Sequence, residues 1–394
     1  MIPLCEPSMG GKELEYATAC VQSGWISSSG EYVGRFEKAL ADYIGVDHVV
    51  ACNCGTSALH ISLILSGVGP EDEVIVPTVT FIAPVNAIRY VNAWPVFLDC
   101  DDYCNLDVAA VRRFLESQCV SRDGATINAK TGRRISAVIP VHVFGTPADM
   151  DPLLETAREF QLAVIEDASE ALGSRYKGRL CGSLAPIACL SFNGNKIVTT
   201  GGGGAILTND PSVAQAARYL AAQAKEDGIE YIHNSLGYNY RMNNVLAALG
   251  LAQFETLEER LARKRDNFAL YEEALGRENL VQQPACCDSN RWFYGYLCSD
   301  AAAKEELLRA CMEAEIQVRP LWYPNHLQRP YRDMQAFEIK NALRFYDRLV
   351  NLPCSVTLTP EQIARVVAVI RGGRGAPAPS GLTRESQPDA AAQR

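Results

Sequence analysis

The stretch IACLSFNGNKIVTTGGGGAI, residues 187–206, decides the fold class, because an apolar run, a polar turn and a second apolar run follow in close succession. Residues 187–192 have the length and apolarity of a buried strand, 193–201 read as a turn, and 205–208 as the returning strand. Lys196 then stands at the rim of a sheet, just ahead of four consecutive glycines, Gly201 to Gly204. Most loop lysines are only solvated, so this segment alone leaves Lys196 open between a solvated charge and a nucleophilic amine.

Outward from this segment, strands and helices alternate. Helices are expected over 35–44, 56–66 and 82–91, with strands over 48–52, 73–77 and 95–99 between and after them. After a polar insertion read as irregular, 121–134, strands resume at 135–143 and 162–166. Such alternation implies right-handed crossovers and a largely parallel sheet covered on both faces, hence an α/β fold. Residues 241–273, rich in Ala, Leu, Glu and Arg, read as one long helical bridge to a second domain with a strand near 292–298 and helices over 302–314 and 360–370. The expected division is an N-terminal segment with a ligand-facing loop (1–34), a large domain (35–250), a smaller C-terminal α+β domain (251–371) and a disordered tail (372–394) whose composition collapses into Gly, Ala, Pro, Ser and Gln.

The bulk numbers exclude several function classes. With 394 residues, 48% of them hydrophobic, the chain can bury a large core, and its net charge of −9 argues against nucleic acid or an anionic membrane held by bulk electrostatics. The N-terminus lacks a basic start followed by an apolar stretch, and the most apolar window, 74–88, is interrupted by Pro77 and Pro84. No membrane partner is therefore expected. The 14 cysteines form no Cys-x-x-Cys and the 5 histidines lie far apart, so no metal site is expected; reduced thiols and a cytoplasmic location are.

Three further segments carry chemistry. Asn53-Cys54-Gly55-Thr56-Ser57 follows a strand and opens a helix, where free amides and hydroxyls at a positive helix end make a phosphate cradle, although Thr and Ser also cap helices for structural reasons alone. Asp167 ends an apolar strand within Glu166-Asp167-Ala168-Ser169-Glu170, at the rim where open α/β sheets bind ligands, and reads equally as a helix cap. Phe81 follows another strand end and is either core or a platform for a planar ring. A cradle, an aromatic, a strand-end aspartate and a rim lysine, in that order, are the parts needed to hold pyridoxal 5′-phosphate.

At this point the chain resembles the nucleotide-sugar aminotransferases of the DegT/DnrJ/EryC1/StrS family. The resemblance runs through GWISSSG (24–30), CGTSALH (54–60), PTVTFIAPVNAI (77–88), PVHVFGTPADMD (140–151), IEDASEALGS (165–174), SFNGNKIVTTGGGG (191–204), GYNYRMNNVLAALG (237–250) and RPLWYPNHLQRPY (319–331). It is nearest the branch that aminates carbon 4 of a UDP- or GDP-linked 4-keto-6-deoxy-N-acetylhexosamine on routes to bacillosamine and legionaminic acid. The resemblance implies a fold type I, aspartate aminotransferase-like architecture, pyridoxal 5′-phosphate as cofactor, L-glutamate as amino donor, and a homodimer or larger. It implies that Gly55, Thr56, Ser57 and Ser191 bind the cofactor phosphate, Phe81 stacks on its ring, Asp167 pairs with its ring nitrogen, and Lys196 is the Schiff-base lysine. Asn239 would reach the phosphate of the neighbouring subunit, while Trp25, Ser27, Arg319 and His326 would line the sugar-nucleotide cleft. Where the family often has glutamine near the cofactor's phenolic oxygen, this chain has Glu170, which must be protonated, turned away or bridged by water. Three alternatives stay open: a transaminase of ordinary 2-keto acids using Arg241 or Arg319 for the carboxylate; a sugar dehydratase, against which Lys196 speaks because that branch carries histidine there; and an inactive regulatory relative.

Overall fold

In the computed structural model, residues 1–227 and 229–372 are described, and the expected tail lies, Gly372 excepted, outside the described residues. Short, largely buried runs and one two-residue, partly exposed edge strand form an eight-stranded sheet: β1 (His48–Cys52), β2 (Glu73–Pro77), β3 (Trp94–Leu98), β4 (Ile135–Val138), β5 (Ala163–Asp167), β6 (Ile187–Ser191), β7 (Gly204–Thr208) and β8 (Ala336–Phe337). Their spatial order is β1-β7-β6-β5-β4-β2-β3-β8. From β8 across to β6 every pairing is parallel, whereas β7 runs antiparallel to both β6 and β1. The expected α/β architecture is therefore present. Its consequence is that β1, β2, β5 and β6 all end on one edge of the sheet and β7 begins there.

The turn from β6 into β7 rests on Phe192, which is fully buried and packs edge-on to Phe36 of the helix Glu31–Ile44 at 5.0 Å. Phe192→Ala would leave a cavity costing about 3–5 kcal/mol and would loosen the turn above it. C-terminal to the large sheet, Tyr294–Leu297, Leu349–Leu352 and Arg319–Pro320 form a three-stranded antiparallel sheet. The same part of the chain returns to the large sheet as β8, and Asn325 donates to the carbonyls of Thr78 and Thr80 just beyond β2.

Three expectations are corrected. The insertion read as irregular contains a hairpin, Cys119–Arg122 paired with Ala125–Asn128, turned by Asp123 and Gly124 at φ 51° and 76°. Asp-Gly between two strands is a type I′ signal that was open to reading. The strand expected over 135–143 ends at Val138, two residues before Pro140, which has no N–H for a ladder. The long helical bridge is two helices, Asn244–Phe254 and Leu257–Leu275. At the break, Thr256 Oγ1 donates to the Gln253 carbonyl and accepts from Arg260 Nε, so a side chain competes with the helix ladder.

Candidate active site

The cradle is built by the ends of three adjacent strands. Cys52 and Ser191 are both paired with Gly204, so β7 sits between the end of β1 and the end of β6. A Cβ at Gly204 would lie 2.5 Å from the Cys54 carbonyl, and one at Gly55 would lie 2.9 Å from Ser191 Cβ. Glycine at these two positions lets the helix Gly55–Leu65 start directly against Ser191. The N-cap is Cys54, whose thiol accepts from the Ser57 amide at 3.4 Å. Ser57 Oγ donates to Asn53 Oδ1 at 2.7 Å. The amides of Gly55 and Thr56 have no acceptor among the described residues. Free N–H groups at a helix start favour an anion.

Lys196 lies in the turn above this cradle. Its side chain is 13% exposed, and its Nζ is 3.8 Å from Glu170 Oε1 and 3.9 Å from the centre of the Trp292 ring. Burial pulls the amine below its ordinary value, against the opposing charges of Glu170 and Asp167. Glu170 is not turned away: Oε2 accepts the Phe144 amide at 2.8 Å, which leaves Oε1 facing the lysine. Burial pushes its carboxyl up to about 7, with Lys196 pulling the other way. Asp167 at the end of β5 is buried and raised by that burial, and its Oδ1 accepts the Ser169 amide at 3.0 Å. A recess with ≈ 180 Å³ of empty volume is lined by Ser169, Glu170, Ser191, Lys196 and Trp292.

The remaining candidates sit at different distances from this centre. His326 is brought to the end of β2, its Nδ1 2.7 Å from Thr78 Oγ1, and burial lowers its basicity. Phe81, three residues beyond Thr78, is 55% exposed. The exposed Trp25 and Ser27 are held by their carbonyls, which accept from Asn244 Nδ2 at 2.7 Å and from the Asn244 amide at 2.9 Å. Asn239 is exposed, and its carbonyl accepts from Asn53 Nδ2 beside the cradle. Arg319 is exposed and its guanidinium donates to the Val318 carbonyl; it has no hydrogen bond or ion pair to the other candidates among the described residues.

Reading by sequence missed Trp292, Phe144, Asn244 and Cys5. Cys5 Sγ donates to the Asn195 carbonyl at 3.4 Å, next to Lys196, and a hydrogen bond from Cys354 brings its thiol down to about 7. A further cluster, His142, Glu166 and Cys181, has metal-like composition. Its histidine and carboxylate are engaged by the chain: Glu166 accepts from His142 Nε2 and from the amides of Gly182, Leu184 and Ala185, and His142 Nδ1 accepts from the Ala148 amide. It is a buried hydrogen-bond network under the sheet edge.

The donor set fits pyridoxal 5′-phosphate: free helix-start amides and two serines for a phosphate, a buried carboxylate for a protonated ring nitrogen, and a desolvated amine for an aldehyde. Comparison with known proteins agrees with that chemistry. The model of the DegT/DnrJ/EryC1/StrS aminotransferase family matches residues 7–371. The chain is 39% identical over 375 residues to GDP-perosamine synthase of Caulobacter vibrioides, covering 94% of this chain and 97% of that one. It is 35% identical to a putative pyridoxal phosphate-dependent aminotransferase of Bacillus subtilis, covering 94% and 95%. A DegT DnrJ EryC1 StrS aminotransferase from Brucella abortus superposes with a TM-score of 0.83 at 28% identity, covering 92% and 95%.

Proposed function

We propose, from the premise that the chain belongs to the DegT/DnrJ/EryC1/StrS aminotransferase family, that it moves an amino group from L-glutamate to carbon 4 of a nucleotide-linked 4-keto-6-deoxyhexose. The sequence resemblance favours the UDP- or GDP-linked N-acetylhexosamine of bacillosamine and legionaminic acid routes. The likeness to GDP-perosamine synthase adds weight to a GDP-linked acceptor. The reading also takes the protein to be cytoplasmic and at least a homodimer. One observation carries it: a desolvated lysine amine, Lys196, faces a buried glutamate 3.8 Å away at the sheet edge where Asp167 and the Gly55 cradle also lie.

When bound, pyridoxal 5′-phosphate supplies an aldehyde for covalent attachment of amines and a ring that draws electrons from the carbon next to nitrogen. The chain's own residues do the rest. The Gly55 and Thr56 amides, with the Ser57 and Ser191 hydroxyls, would anchor the phosphate. The Asp167 carboxylate would hold a proton on the ring nitrogen, and a cation there would offset the burial that now raises its basicity. The unprotonated Lys196 amine would attack the aldehyde, and once released would take the proton from the donor's alpha carbon and return one to the acceptor. Glu170, 3.8 Å away, would set how readily that amine carries charge.

A transaminase of small 2-keto acids needs a free arginine for the second carboxylate. Arg241 is paired with Glu37 at 3.2 Å, which supports the sugar reading, and Arg319 donates to the Val318 carbonyl. The test is to incubate the protein and cofactor with glutamate and each UDP- or GDP-linked 4-keto sugar and determine the product. Amination of 2-keto acids alone, with every nucleotide sugar returned unchanged, would overturn it.

A further inference from the structure

The most tightly constrained aromatic at the site is Trp292, which is 3% exposed and presents its ring to the Lys196 amine at 3.9 Å. Its Nε1 donates to the Asn195 carbonyl at 2.7 Å, so the indole grips the residue just before the lysine. Its amide donates to Asn290 Oδ1 at 2.9 Å and to the Phe144 carbonyl at 3.1 Å, and its own carbonyl accepts from the buried Lys264 at 2.7 Å. Phe293 stacks on it at 4.0 Å and 8°. Phe144 therefore ties together the two groups that flank the amine, through its N–H to Glu170 and its carbonyl to Trp292.

We propose that Trp292 is a positioning residue whose indole face, with Glu170, stabilises the ammonium form that the free Lys196 amine takes on after accepting the donor's proton and before delivering it. The proposal rests on Lys196 being the lysine that carries the cofactor. A proton donor must keep its proton until delivery, and burial alone strips it. The negative face of an indole counters that, as a second attraction beside the carboxylate. The other charged or titratable groups near the amine are Glu170 and Asp167 from the end of β5 and Cys5 from the N-terminal segment. Glu6, Arg260 and Lys264 line the adjoining recess. A change at position 292 alters none of them chemically.

The test uses the full-length protein loaded with pyridoxamine 5′-phosphate, which leaves the lysine amine free. Short pulses of acetic anhydride across a pH series, read by mass spectrometry of the peptide containing Lys196, give the midpoint at which the amine becomes reactive. Trp292→Leu should lower that midpoint by about 0.4 to 1.5 units, the range expected for losing a partly desolvated cation–π contact. Trp292→Phe, which keeps a weaker ring face, should lower it by less. A purely structural role would reduce thermal stability and leave the midpoint in place. An upward shift, from water entering the recess, would mean that the indole acts by excluding solvent; either result overturns the proposal. Should the leucine variant not fold, an unchanged midpoint in Trp292→Phe overturns it equally. Failure of the underlying reading looks different: borohydride reduction of the pyridoxal phosphate-loaded wild type would then attach the cofactor to another lysine.

Discussion

Phe144 donates its main-chain N–H to Glu170 Oε2 at 2.8 Å from a left-handed backbone conformation, φ 57°. A phenylalanine held there costs about 1–3 kcal/mol, and its ring is kept in place by Trp322 and Phe293 at 5.5 and 6.2 Å. The strain fixes which oxygen of Glu170 faces Lys196. It also prescribes a pH dependence. Burial raises the Glu170 carboxyl from 4.5 to about 7, so the native state holds a proton that the unfolded chain releases. The stability from this group is fully present below the unfolded value and is lost as pH rises through about 7. Cofactor-free Glu170→Gln should therefore gain on the wild type by roughly 1–3 kcal/mol between about pH 5 and about pH 8 in urea unfolding. A difference that stays constant across that window would contradict the raised carboxyl.

The glycine run separates cleanly into a packed end and an open end. Gly204→Ala would put a methyl 2.5 Å from the Cys54 carbonyl, whereas Gly202→Ala meets nothing within 4 Å. The first should destabilise the fold by about 1–3 kcal/mol and weaken cofactor retention at least tenfold, and the second should change stability by less than about 0.5 kcal/mol. Cofactor retention is read by equilibrium dialysis. Equal effects of the two changes would mean that the cradle is not packed as described.

In the single chain, Ile229, Tyr231 and Leu236 are 90%, 65% and 75% exposed, a few residues before the exposed Asn239. Apolar side chains in such density on one segment mark a covered surface. Light scattering should find a homodimer or larger assembly, and dilution should find no active monomer. A fully active monomer would remove the role given to Asn239.

Lys196→Arg keeps a positive charge, but its guanidinium stays protonated near neutral pH. It can neither attack the aldehyde nor relay a proton. Turnover should fall by at least roughly 10²-fold to 10⁴-fold, the loss attributed to a positioned acid/base group. Turnover within about tenfold of wild type would show that another residue does the acid/base work.

The parts of this molecule that were legible in its sequence are those governed by local pattern. Residues 48–52 and 73–77 each carry an apolar run behind one polar residue, His48 and Glu73, and both strands have the expected bounds. The sheet-edge positions of Asp167, Ser191 and Gly55 follow from strands being read in order. Trp292 was not legible, because its contact with Lys196 spans a large part of the chain and its own strand neighbourhood carries no signal of it. The break at Thr256 was hidden for a related reason: Ala, Leu, Glu and Arg continue through it, and only the partners of the threonine hydroxyl reveal it. Glu170 shows the limit most sharply. Sequence could give three fates for its carboxylate, and the Phe144 amide removes one of them, the carboxylate turned away from the lysine.

The central claim is that Lys196 is the amine that carries the cofactor. Borohydride reduction of the pyridoxal 5′-phosphate-loaded wild type, followed by peptide mapping, tests it most directly. The reduced cofactor is expected on the peptide containing Lys196, with no stable attachment in Lys196→Ala. Cofactor fixed to a different lysine in the wild type, or still covalently attached in Lys196→Ala, would contradict it.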